Sequence, residues 1–184
     1  MSDDKAKALD KAHDRFSKAK KNELPKEDAY FKALHVLREK EEALRAHPTD
    51  ARRRARDEAE ASCNKAQAEY DAATAERKSA AAAYDDALRA RWDERIDDAG
   101  TADQKKEVAK RELDQATTEH DQAKAALSEA KRKLQELEAD LKKETDAERR
   151  EDLRERIAKQ QAVVDRAADE EKRTEDNRKN RGGK

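Results

Sequence analysis

The sequence predicts an all-α protein: a long antiparallel coiled-coil helical hairpin with an extra N-terminal helix packing at its base. Three observations carry that class. First, the 184 residues are 48% charged and only 3% aromatic, with Gly 3 and Pro 2. Too little apolar mass is present for a layered core, while Ala, Leu, Glu, Lys and Arg dominate, as they do in coiled coils and long helices. Second, the sparse apolar residues are periodic in two separate strings. Third, the only glycine before position 182 is Gly100, in the stretch ERIDDAGTADQ at 94–104.

The first string runs Ala59, Cys63, Ala66, Tyr70, Ala73, Arg77, Ala80, Tyr84, Ala87, Arg91. The second runs Ala109, Leu113, Ala116, His120, Ala123, Leu127, Ala130, Leu134, Leu137, Leu141. Alternating steps of four and three keep one face towards a partner helix. Folding the chain at Gly100 pairs the strings so that every pair of residue numbers sums to 200, from Ala59 with Leu141 to Arg91 with Ala109. A large residue nearly always meets a small one, as close packing at constant helix separation requires.

The other elements follow in order. Leu9, Ala12, Phe16 and Ala19 mark an N-terminal helix over 1–24, which KKNELPKED breaks from the next helix at Pro25. It folds back to thicken the base, where Phe16, Tyr30 and Phe31 gather aromatic mass. The hairpin spans 25–175, with arms 25–97 and 102–175, each ~110 Å if fully helical at 1.5 Å per residue. Its tip is 97–102. Gly100 suits the left-handed conformation past a helix end, and Thr101 with Gln104 makes a capping box for the returning helix. Beyond the ten pairs, the arithmetic sets Arg56 opposite Glu144 and Arg52 opposite Glu148. His47-Pro48 then interrupts one arm and KKETDAERRED at 142–152 the other. A kink at Pro48 keeps the two arms running; a short turn near Thr145 is the variant. Leu34, Leu37 and Leu44 resume the seam against Leu153, Gln160 and Val164. From Thr174 onward, TEDNRKNRGGK loses apolar content, and 176–184 reads as a flexible basic linker to a missing C-terminal domain.

Chemistry is scarce. None of His13, His35, His47 and His120 pairs with another His or Cys at metal-ligand spacing, and no Cys-x-x-Cys exists, so neither a metal nor any other cofactor is expected. A two-helix rod offers no cleft in which to perturb a carboxylate. With no phosphate loop or nucleophile motif, the segment is not expected to be an enzyme. Cys63 sits in the seam as a small hydrophobe. The 44 basic and 45 acidic residues, net −1, are interspersed, which gives no drive towards nucleic acid. No apolar run approaches the ~18 residues of a membrane span, and MSDDKAKALD holds no apolar signal region.

That leaves the tip. Near it the seam hands over to Leu88, Trp92 and Ile96. Trp92 either plugs the hairpin end or joins Arg91, Arg95, Ile96, Asp97, Asp98, Gly100 and Thr101 in a contact surface. The pair Asp97-Asp98 has no structural purpose beyond solubility.

The run EEALRAHPTDARRRARDEAEASCNKAQAEYDAA at 41–73 resembles the start of the receptor-binding coiled coil of the E-group colicins, where a His-Pro dipeptide also precedes an Ala-, Arg- and Glu-rich helix. EEKRTEDNRKNRGGK at 170–184 resembles the basic joint into the nuclease domain of those bacteriocins and of S-type pyocins. The resemblance implies a toxin segment, released by lysis, whose hairpin tip engages an outer-membrane receptor protein of a target bacterium. It also implies a translocation domain upstream and a cytotoxic domain downstream. This tip is shorter than the E-group tip and poorer in Gly, Met and aromatic residues. The family's usual receptor, the vitamin B12 transporter, is therefore not implied, and the tip residues rest on geometry alone. The reading is a monomer binding neither a small-molecule substrate nor nucleic acid. The alternatives are a cytosolic coiled-coil scaffold or spacer, and a nucleic-acid-binding helical arm like that of seryl-tRNA synthetase.

Overall fold

The computed structural model describes residues 2–182, and among these it holds four α-helices and no strand: α1 (Ser2–Ala46), α2 (Asp50–Asp97), α3 (Ala102–Lys143) and α4 (Ala147–Gly182). The chain forms two compact units, Met1–Arg91 and Trp92–Lys184. The first holds α1 and most of α2. The second holds the last turns of α2, then α3 and α4.

In the first unit α1 and α2 form an antiparallel hairpin. Phe16 stacks on Tyr84 with ring centroids 5.9 Å apart, and Tyr30 stacks on Tyr70 at 5.9 Å. Phe16 and Ala19 bury themselves against Ala80 and Ala81, with Tyr84 packed at the edge. Between these layers lies a buried ion pair, Arg77 Nε to Glu23 Oε2 at 2.8 Å, and Thr74 Oγ1 donates to Glu23 Oε1 at 2.9 Å. The string 59–84 is thus a buried face, as its period predicts, and α1 covers it.

The chain doubles back at His47–Thr49, where the sequence reading has an arm continuing with a kink. The residue before a proline avoids helical backbone, so α1 stops short of Pro48. Thr49 Oγ1 then accepts from Arg52 N at 3.3 Å, starting α2. Arg52, expected opposite Glu148, reaches back and donates to the carbonyls of Ala43 (2.9 Å) and His47 (3.2 Å). Arg56, expected opposite Glu144, pairs with Asp57 and Glu60 on its own helix.

The second reversal uses the same device at Glu144–Asp146, close to the Thr145 variant. Glu144 closes α3 through its N–H to Asp140 O, and its carboxylate accepts from Thr145 N (2.9 Å) and Asp146 N (3.0 Å). Asp146 Oδ1 caps α4 by accepting from Arg149 N at 2.9 Å. Arg150 reaches back to the carbonyls of Leu141 (3.3 Å) and Glu144 (2.8 Å). In both turns an arginine of the outgoing helix satisfies the last carbonyls of the incoming one, which otherwise lack partners.

In the second unit α4 returns antiparallel along α3. Gln160 Nε2 donates to Ala130 O at 3.0 Å, and His120 Nε2 lies 4.0 Å from Glu171. Ala116, His120, Ala123 and Ala130 of α3 are buried, as are Leu153, Val164, Thr174, Asn177 and Arg181 of α4.

Two further expectations need correction. Pro25 does not break the chain: α1 passes through it. An internal proline costs about 3 kcal/mol, but Glu23, Glu27 and Phe31 around it are buried against α2, so lateral packing and the Glu23–Arg77 pair hold the helix. The segment 174–182 is helix and not a flexible linker. Its buried face continues in polar residues, Thr174, Asn177 and Arg181, spaced by three and four. Gly183 and Lys184 of that expected linker, and Met1 of the N-terminal helix, lie outside the described residues.

Candidate functional site: the Gly100 turn

The turn is built as its sequence predicts. Asp98 N donates to Glu94 O (2.8 Å) and Ala99 N to Ile96 O (3.3 Å), closing α2. Gly100 takes φ 60, the left-handed conformation that lets the chain leave the helix without a Cβ clash. A Cβ there would also lie 3.0 Å from Gln104 Oε1. Thr101 and Gln104 form the reciprocal capping box: Gln104 N donates to Thr101 Oγ1 at 3.3 Å, and Thr101 N to Gln104 Oε1 at 3.0 Å. The turn is therefore stiff at its backbone.

The predicted contact residues divide into two groups. Arg95, Asp97, Asp98, Gly100 and Thr101 are exposed, and Ile96 is half-buried. Arg91, half-buried, is the last residue of the first unit. Asp97 and Asp98 stand at the C-terminus of α2, where the helix dipole already presents negative charge, so they oppose the helix that carries them.

Trp92 belongs to the other group and is only 6% exposed. Arg181, from the last turn of α4, lies over its ring with the guanidinium carbon 3.1 Å from the centroid. Arg181 Nη1 donates to the carbonyl of Glu112 and stands 3.9 Å from Glu112 Oε2. Glu112 Oε1 pairs with Arg95 Nη1. Glu112 thus ties the exposed turn, through Arg95, to the buried Trp92–Arg181 stack. Gly182 packs beside Leu113, where a Cβ would lie 3.7 Å from Leu113 Cδ1.

Sequence reasoning missed Glu112 and Arg181. Glu112 was one carboxylate among many, and Arg181 lay in the stretch read as unstructured. The signal available was the three-and-four spacing of Thr174, Asn177 and Arg181, which a search for apolar periodicity passes over.

Elsewhere the charges serve the helices. Arg132 bonds Glu129 and Glu136, and this holds the Glu129 carboxyl down at about 2. A hydrogen bond from Lys179 likewise lowers Glu175, with a smaller push from His120. Burial raises the Cys63 thiol above its ordinary value. Among the described residues no cluster of His, Cys, Asp and Glu could hold a metal ion, and no helix is long and apolar enough to cross a membrane. No protein-family model matches the chain, and neither a curated protein nor a solved structure does.

Proposed function

We propose that this chain is the receptor-binding helical segment of a colicin- or pyocin-like bacteriocin, with the Gly100 turn as the surface presented to an outer-membrane receptor protein. The observation that carries the proposal is a rigid, doubly capped turn whose exposed carboxylates, Asp97 and Asp98, disfavour the helix they end. Residues that oppose their own helix and serve no internal contact fit a surface kept for a partner. The resemblance at 41–73 and 170–184 supplies the class of partner. The 51–56 basic run is a poor nucleic-acid stripe, because Arg52 caps α1 while Arg53 and Arg56 pair with acids.

Binding to outer membranes of related strains tests the role. Asp97→Ala/Asp98→Ala should weaken binding about tenfold or more, as losing charged contacts at an interface does. Unchanged binding removes the turn from the mechanism.

A further inference from the structure

The stack beneath the turn has the composition of a cation-binding site. An aromatic face, a buried carboxylate and a backbone carbonyl converge on one guanidinium. Trp92 offers the best π-face among side chains for a cation, and Arg stacks on such faces more readily than Lys. Glu112 presents its carbonyl and Oε2 on one side of the same space. Arg181 occupies that space with its side chain only 3% exposed.

The fit is incomplete. Glu112 Oε2 is buried and accepts no hydrogen bond, because Arg181 approaches it only to 3.9 Å. Buried carboxylate oxygens are nearly always hydrogen-bonded, and an orphan is costly. Arg181 is anchored in α4, and its backbone position sets how far the guanidinium can travel. One turn earlier, Arg178 Nε is also buried without a hydrogen-bond partner. The end of α4 is therefore seated with one buried nitrogen, Arg178 Nε, unmatched. A guanidinium not tethered to α4 could lie on Trp92 and reach the second oxygen as well, with bidentate geometry.

We propose that Trp92 and Glu112 form a guanidinium-binding site, filled in cis by Arg181, which accepts an arginine of a bound partner when the end of α4 lifts away. Arg181 thereby covers a second contact beneath the exposed turn and withholds it until displaced. The site itself stands on this geometry; only the identification of the partner with a receptor rests on the function proposed above. Exchanging one arginine for another swaps like contacts for like at this site, so the partner's remaining contacts supply the free energy that displaces the tethered Arg181.

Trp92 is the sole tryptophan, so its fluorescence reports on this site alone. The probe is N-acetylarginine methylamide, with the matching lysine compound as control. In the wild-type chain Trp92 should resist acrylamide quenching and ignore both compounds. In Arg181→Ala quenching should rise, and the arginine compound should restore protection where the lysine compound does not. Adding Glu112→Gln should weaken that protection about tenfold, the scale of one charge-assisted hydrogen bond. Arg181→Met retains aliphatic cover and helix propensity, so it should show the same selective uptake even if the alanine variant loses helicity. The proposal is overturned if Trp92 in Arg181→Ala stays as protected as in wild type, or if neither variant distinguishes arginine from lysine. Membrane binding is not read in this experiment. A loss of selectivity here leaves the receptor role of Asp97 and Asp98 standing, and the reverse holds too.

Discussion

The α1·α2 hairpin and the α3·α4 hairpin use the same three-residue reversal and the same arginine cap, yet they bury different chemistry. Between α1 and α2, stacked pairs of aromatic rings bracket a closed ion pair, and Ala80 between them is fully buried. Between α3 and α4, alanines give way to His120, Thr174, Asn177 and Arg181 towards the Gly100 end. His120 Nδ1 is buried there without a hydrogen-bond partner. The first interface is held by complementary shape and a close buried charge pair. The second carries incompletely satisfied polar groups, concentrated at the end nearest the turn. Where polar burial is incomplete, local opening is cheap, and segments that move in function are drawn from such regions.

Four measurements would break or sharpen this contrast. The largest effect should come from Arg77→Ala, which strands the buried carboxylate of Glu23. Removing one partner of a buried pair costs about 3–5 kcal/mol, and urea unfolding should show it. Hydrogen exchange should place the loss in α1 and the facing part of α2, with Cys63 becoming open to alkylation. Equal losses in α3 and α4 would mean the two units are not independent.

Overpacking comes next. Ala80→Leu should destabilise by about 2 kcal/mol, since Phe16 and Ala19 leave no room, and thermal melting reads it. Ala123→Leu, at a position 9% exposed where Ala80 is 0%, should cost clearly less. Equal costs would erase the distinction.

A smaller effect of opposite sign is expected at the turn. Asp97→Asn/Asp98→Asn should stabilise α2 by about 0.5 kcal/mol, visible as a small rise in melting temperature. A fall would show that these carboxylates serve the fold and not a partner.

The smallest concerns the surface. The Glu129 carboxyl, held at about 2 by its Arg132 hydrogen bond against an ordinary 4.5, should titrate near that value by NMR. Because the folded value is depressed, its contribution is complete above pH 4.5 and is lost as pH falls through 2. Arg132→Gln should return the titration towards 4.5. Exposed pairs of this kind add little to stability, so unfolding at pH 7 should hardly change.

Some of the site was legible before any coordinates. Gly100, Thr101 and Gln104 form a turn whose chemistry is contained in eleven consecutive residues, because left-handed backbone and capping boxes are local requirements. The two buried faces were legible too, since a 3.5-residue period puts every fourth or third side chain on one stripe. Arg181 was not. Its burial needs α4 to run back to the turn, and no window of sequence around 174–184 states that.

By itself, then, the sequence determined helices throughout, the stripe each helix hides, and the place and conformation of the middle turn. Tertiary structure alone decided which helix covers which stripe, that α1 survives Pro25, and that Trp92 lies under an arginine from the far end of the chain. The reason is physical. A heptad stripe of alanines accepts any complementary stripe, so periodicity names a face but not its neighbour. In each unit the neighbour is the helix joined by a three-residue turn, where loop closure loses least entropy and an arginine stands ready to cap the helix it has just left.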